Sequence, residues 1–281
     1  MNEFFRRTLT GVWIVIFILG GFWLHPVTFF LTGLVIVAGA QYEYYLMIRN
    51  HGEIRTQLVP GMVTGVLIYT LSTLVAAGII QWKYLLLVGP VIITMMFVEL
   101  YRKEEKPFDS LAHTLLPLIY IVAPLSMFPF TAFSHNGLDS LLTHGITEFS
   151  PGIVVGFFIL LWINDTGAYI IGITFGRHRL LERISPKKSW EGFFGGLIIA
   201  AAAAWLLSDW LGVIGTAGWI IISVLISVTG TYGDLVESML KRSLGVKDSG
   251  NIMPGHGGFL DRFDSTILSF PFIFLFITLF G

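Results

Sequence analysis

Residues 152–175 read GIVVGFFILLWINDTGAYIIGITF. A helix rising about 1.5 Å per residue needs roughly 20 mostly apolar residues to cross a bilayer core of about 30 Å. This run has that length, and its single charge, Asp165, stands next to Asn164 in its second half. The run is continuously apolar, whereas a membrane β-barrel would alternate in short segments, so a helix is expected. Outward from it lie eight more such runs, over 8–25, 27–47, 58–80, 84–100, 110–133, 193–211, 214–234 and 263–280. The expected fold class is therefore all-α: a polytopic integral membrane protein with about nine transmembrane helices.

Composition closes off the other classes. Of the 281 residues 54% are hydrophobic and 12% charged, and the mean hydropathy is +0.78. A soluble domain of this size cannot hide that much apolar surface, and disorder requires the opposite balance. The absence of cysteine excludes disulfide scaffolds, thiolate metal sites and cysteine nucleophiles. A net charge of −1 argues against a nucleic-acid partner.

Lys and Arg placement orients the chain. With a cytoplasmic N-terminus and an external C-terminus, sixteen of the 17 basic residues face the cytoplasm and only Lys83 does not. The stretch from Ser134 to Pro151 has no Lys or Arg, which suits an external loop. The first run lacks a small-residue cleavage site and is followed directly by another, so it is expected to be retained. Residues 1–133 read as an N-terminal transmembrane region of about five spans. Residues 134–281 read as a catalytic region with two longer cytoplasmic loops, 176–192 and 235–262.

Polar residues gather in that second region. A transporter would hold its ionisable groups near the bilayer midplane, but here most of them cluster at one surface. Asp165 is the exception, and a charge within a span is costly enough that a functional role is the default expectation. In the first loop, Ser185, Lys187, Lys188 and Ser189 precede a helix start and form a candidate anion site. In the second, Asp234, Lys241, Arg242, Lys247 and Asp248 lead to Pro254-Gly255-His256-Gly257-Gly258-Phe259-Leu260-Asp261-Arg262-Phe263-Asp264. Glycines at 257 and 258 let backbone N–H groups approach a phosphate. Asp261 and Asp264, three apart, share a helical face. With Asp234 they make a candidate oxygen-ligand set for a hard cation. Glu43 and Glu99 lie near span ends and carry no assigned role.

These motifs together resemble the phosphatidate cytidylyltransferases, also called CDP-diacylglycerol synthases. The family pattern runs Ser-x-x-Lys-Arg, through Lys-Asp, to Pro-Gly-His-Gly-Gly-x-x-Asp-Arg-x-Asp. Here it is matched by Ser238, Lys241, Arg242, Lys247, Asp248, the 254–258 run, Asp261, Arg262 and Asp264. The 185–192 and 164–169 segments are also similar to the family's. The resemblance implies the reaction of CTP with phosphatidate to give CDP-diacylglycerol and pyrophosphate, with Mg²⁺ as cofactor and room for a second cation. It implies catalytic roles for Asp234, Lys247, Asp248, His256, Asp261, Arg262 and Asp264. Substrate contacts fall to Asp165, Ser185, Lys187, Lys188, Ser189, Lys241, Arg242, Gly257 and Gly258. The metal falls to Asp234, Asp261 and Asp264. A site facing the cytoplasm of a bacterial inner membrane is expected, and a homodimer is compatible with the sequence. The competing readings are a CTP-dependent polyprenol kinase and a secondary transporter built on Asp165.

Overall fold

The computed structural model describes residues 3–52, 54–133, 148–250 and 257–280, with side chains from residue 11 onward. Within them the apolar runs become nine long helices. They are α1 (Glu3–Leu24), α2 (Pro26–His51), α3 (Leu58–Ala76), α4 (Trp82–Tyr101), α5 (Pro107–Phe133), α6 (Gly152–Phe175), α7 (Trp190–Leu211), α8 (Thr216–Ser243) and α9 (Leu260–Phe280). Helices α2 to α9, eight in all, are long and apolar enough to span a membrane. The first expected span corresponds to α1, whose described apolar stretch is the shorter Gly11–Leu24. The chain is a polytopic integral membrane protein.

Local chemistry sets the helix ends. Pro26 opens α2, where its missing N–H costs nothing, and the His25 ring accepts from the Val27 N–H at 3.1 Å. Pro117 and Pro124 interrupt α5, and a π-helical turn over Leu118–Val122 absorbs the lost hydrogen bonds. One feature departs from the all-helical expectation. Between α6 and α7, β1 (Arg179–Leu181) and β2 (Ser185–Ser189) pair antiparallel, with Arg179 opposite Ser189 and Leu181 opposite Ser185. The eighth span, expected to stop at 234, continues as helix to Ser243. Leu235, Glu237 and Lys241 remain buried there, and Lys241 and Arg242 suit the negative end of the helix dipole. Likewise α9 begins at Leu260 rather than 263, so the expected 235–262 loop is much shorter.

Small residues let helices pack closely without an aqueous hydrophobic drive. At Gly196 of α7, an added Cβ would stand 2.8 Å from the Asn164 carbonyl oxygen of α6. Elsewhere an aromatic core joins five helices. Phe22, Phe29, Phe128, Phe158 and Phe270 interlock, with the Phe128 and Phe270 rings 4.0 Å apart. This packing leaves the end of α6, the ribbon, the start of α7, Thr231 and Asp234 of α8 and the start of α9 around one cavity.

Candidate active site

Helix α8 places Asp234, Glu237 and Lys241 three and four residues apart, on one face. That face meets the start of α9 because position 233 is glycine. A Cβ there would lie 2.7 Å from the Asp264 carbonyl oxygen and 2.9 Å from Ser265 Cα. The backbones touch, and Asp264 is brought against Asp234. Among the described residues, carboxylate oxygens of Asp234, Glu237 and Asp264 lie within 4.8 Å of one another. Glu237 is 0% exposed and Asp264 7%, so water does little to screen their repulsion. Glu237 Oε1 has no hydrogen-bond partner among the described residues. A hard divalent cation fits this donor set, which is all oxygen, acidic and under-satisfied.

Two lysines temper the negative charge. Lys241 forms ion pairs with Glu237 and, at 2.6 Å, with Asp261. Lys188 pairs with Asp234 from the ribbon. The ribbon is held by Glu191, which accepts the Arg177 and His178 backbone N–H groups at 3.1 and 3.2 Å and contacts the His178 ring at 2.6 Å. Ser189 ends the ribbon and caps α7, its hydroxyl accepting the Gly192 N–H at 3.2 Å. A cavity of about 760 Å³ lies between these elements. Its walls carry Asp165, Arg179, Lys187, Lys188, Ser189, Asp234, Asp261 and Asp264. Asn164 also lines it and is fixed by the Ser227 hydroxyl, which donates to its Oδ1 at 2.7 Å.

The structure thus gathers Asp165, Lys187, Lys188, Ser189, Asp234, Asp261 and Asp264 around one cavity, with Lys241 behind them. Asp261 differs from its expected place in the acid group. Standing in the first turn of α9, it reaches back to accept the Gly258 N–H at 2.8 Å and the Ser249 N–H at 3.2 Å, and it meets Lys241. The Gly258 N–H expected to cradle phosphate is therefore directed at Asp261. Gly257 adopts the left-handed φ of 81° that favours glycine. Ser185 sits at the far end of β2 opposite Leu181. Arg242 is exposed and donates to the Val246 carbonyl at 3.0 Å. Arg262 is also exposed. Lys247 and Asp248 line a different cavity, of about 390 Å³, beside Glu43, Asn50 and His51. His256, Pro254 and Gly255 lie outside the described residues.

Sequence reading missed Glu237 and Arg179. The spacing of Glu237, one turn from both Asp234 and Lys241, was a usable signal that the premature end of the span concealed. For Arg179, one of several basic loop residues, no signal separated it from positive-inside bias.

Comparison with known proteins shows the family. A model of the cytidylyltransferase family matches residues 5–280. The chain is similar to the phosphatidate cytidylyltransferase of Staphylococcus aureus, 33% identical over 234 residues, covering 80% of this chain and 81% of that protein. It is 39% identical to the enzyme of that name from Bacillus subtilis over 180 residues, 64% of this chain and 62% of that one. With the Haemophilus influenzae protein of the same name the figures are 40% over 164 residues, 57% and 52%. In the last two alignments the chain spans between about half and three fifths of the relative's length.

Proposed function

The chain belongs to the cytidylyltransferase family, and from that premise we propose that it converts CTP and phosphatidate to CDP-diacylglycerol and pyrophosphate. The observation that carries this reading is the meeting, in one cavity bounded by membrane helices, of Asp234 and Asp264, two members of the three-carboxylate group, with the basic side chains of the ribbon. Such a site can receive a lipid phosphate from the bilayer and a triphosphate from water.

In the proposed step an oxygen of the lipid phosphate forms a bond to the α-phosphorus of CTP. The bond from that phosphorus to the bridging oxygen breaks, and the electron pair leaves with pyrophosphate. The second pKa of a phosphate monoester is about 6, so phosphatidate is largely dianionic at neutral pH and needs no strong protein base. The chain's work is then positioning and charge neutralisation. Arg179, Lys187 and Lys188 bind phosphate oxygens and set the line of attack. Asp234, Glu237 and Asp264 would hold Mg²⁺, which when bound offsets triphosphate charge as a Lewis acid. Lys241 already gives Asp261 the positive neighbour that a second cation would supply there. A homodimer would bring two copies of this cavity together.

The basic-residue asymmetry supports a cavity facing the cytoplasm, where CTP is found, in a bacterial inner membrane. Purified protein in detergent, given phosphatidate, Mg²⁺ and CTP labelled at the α-phosphorus, tests the reaction. Label is expected to move into the lipid phase with release of pyrophosphate. Transfer of a γ-label with release of CDP would instead identify a lipid kinase, and no transfer of either label would remove the proposal.

A further inference from the structure

Glu43 stands on α2, some two hundred residues from the acids of α8 and α9, and the proposed transfer does not use it. It is 1% exposed. A carboxylate buried in a helix bundle is costly unless donors converge on it. Two do: the Ser249 hydroxyl and the Leu260 backbone N–H each donate to Glu43 Oε2 at 2.7 Å. The Leu260 amide is one of the unpaired donors at the start of α9, so Glu43 caps that helix from across the molecule. Packing reinforces the contact. A Cβ on Gly258 would lie 2.8 Å from Glu43 Cδ, so the chain at 258 runs directly over this side chain.

The segments that Glu43 ties are the ones that hold Asp261. The Ser249 and Gly258 N–H groups both donate to Asp261 Oδ2, at 3.2 and 2.8 Å. Asp261 in turn receives Lys241, which is also paired with Glu237 of the acid group. A continuous set of contacts therefore runs from Glu43 through residues 249 and 258–260 to Asp261, Lys241 and Glu237. We infer that Glu43 is a positioning residue: it fixes both ends of the 249–260 segment and thereby sets the Asp261–Lys241 pair beside the acid group. Its kinetic consequence rests on the proposed cytidylyl transfer; its structural consequence does not.

The test uses the full chain in detergent, as parent, Glu43→Gln, Glu43→Ala and Ser249→Ala. Transfer of α-label to phosphatidate is read alongside hydrogen–deuterium exchange of the backbone amides of residues 249 and 258–260. Misplacement of about 1 Å at a catalytic group costs on the order of 100-fold, and that loss of kcat is expected in Glu43→Ala. The KM for CTP should stay within about three-fold, because the ribbon lysines do not touch Glu43. Exchange at Leu260 and Gly258 should quicken by about ten-fold or more, reporting local opening. Glu43→Gln keeps an oxygen able to accept both bonds and should hold kcat within about five-fold of the parent. Ser249→Ala deletes one donor only, and about a five-fold fall in kcat is expected even if Glu43→Ala fails to fold. Parental kcat in folded Glu43→Ala or in Ser249→Ala would overturn the inference. So would unchanged exchange in Glu43→Ala, or a Gln variant no better than Ala. If the parent itself moves no label, the proposed reaction fails, and the exchange comparison still decides the role of Glu43.

Discussion

Lys188 meets two demands that one side chain rarely serves together. It pairs with Asp234 and also lines the cavity wall where phosphate is proposed to bind. A charge-assisted hydrogen bond contributes about 1.5–3 kcal/mol. Lys188→Ala is therefore expected to lower kcat/KM on the order of 10–100-fold, measured by initial rates over CTP and phosphatidate series. An unchanged kcat/KM with weaker retention on anionic vesicles would mean that the ribbon lysines only bind lipid surface. At this scale sequence reading reached residue types better than directions. Lys187, Lys188, Asp234 and Asp264 stand out as polar groups in an apolar chain, and the structure places them around one cavity. Lys247 and Asp248 are as conspicuous in the sequence, yet they line another cavity. A loop fixes its backbone by contacts distant in sequence, here to α2, and spacing alone does not reveal which way its side chains point.

Helices α8 and α9 meet where a side chain would not fit. Gly233→Val would drive a branched side chain into the Asp264 and Ser265 backbone, which cannot yield as a side chain end can. Overpacking of this kind costs about 1–3 kcal/mol. A lower thermal midpoint in detergent is expected, together with loss of any Mg²⁺-dependent stabilisation, because the acid group spans this contact. A parental midpoint and metal response would show that the helices do not approach as described. The membrane helices themselves were legible, since about 20 apolar residues leave few other structures open. Their ends were less so. Hydropathy stops at Asp234, but the helix continues to Ser243, with Glu237 and Lys241 paired one turn apart on its buried face. The ribbon over Arg179–Leu181 and Ser185–Ser189 was missed for a related reason: three-residue and five-residue strands carry too little pattern to register.

For the whole molecule, the uneven placement of Lys and Arg predicts which end of the bundle faces the cytoplasm. Reporter fusions should find the N-terminus inside and the C-terminus outside. Both termini on one side would mean that α1 does not cross, leaving the eight helices from α2 to α9 as the spanning set. The central claim is that the carboxylate group between α8 and α9 is where a divalent cation serves cytidylyl transfer. Asp264→Asn keeps the shape of the side chain and replaces one of three carboxylates held within 4.8 Å by a neutral amide. Removing that charge relieves repulsion, so the metal-free variant should be at least as stable as the parent. Ligand binding to the folded state adds stability, so Mg²⁺ with CTP should raise the parent's thermal midpoint more than the variant's. The most direct measurement is the rate of α-label transfer to phosphatidate across a Mg²⁺ series, parent against Asp264→Asn. The account predicts a loss on the order of 100-fold or more, as for removal of a group acting in the transition state. A folded Asp264→Asn protein with the parent's rate and the parent's Mg²⁺ requirement would contradict it.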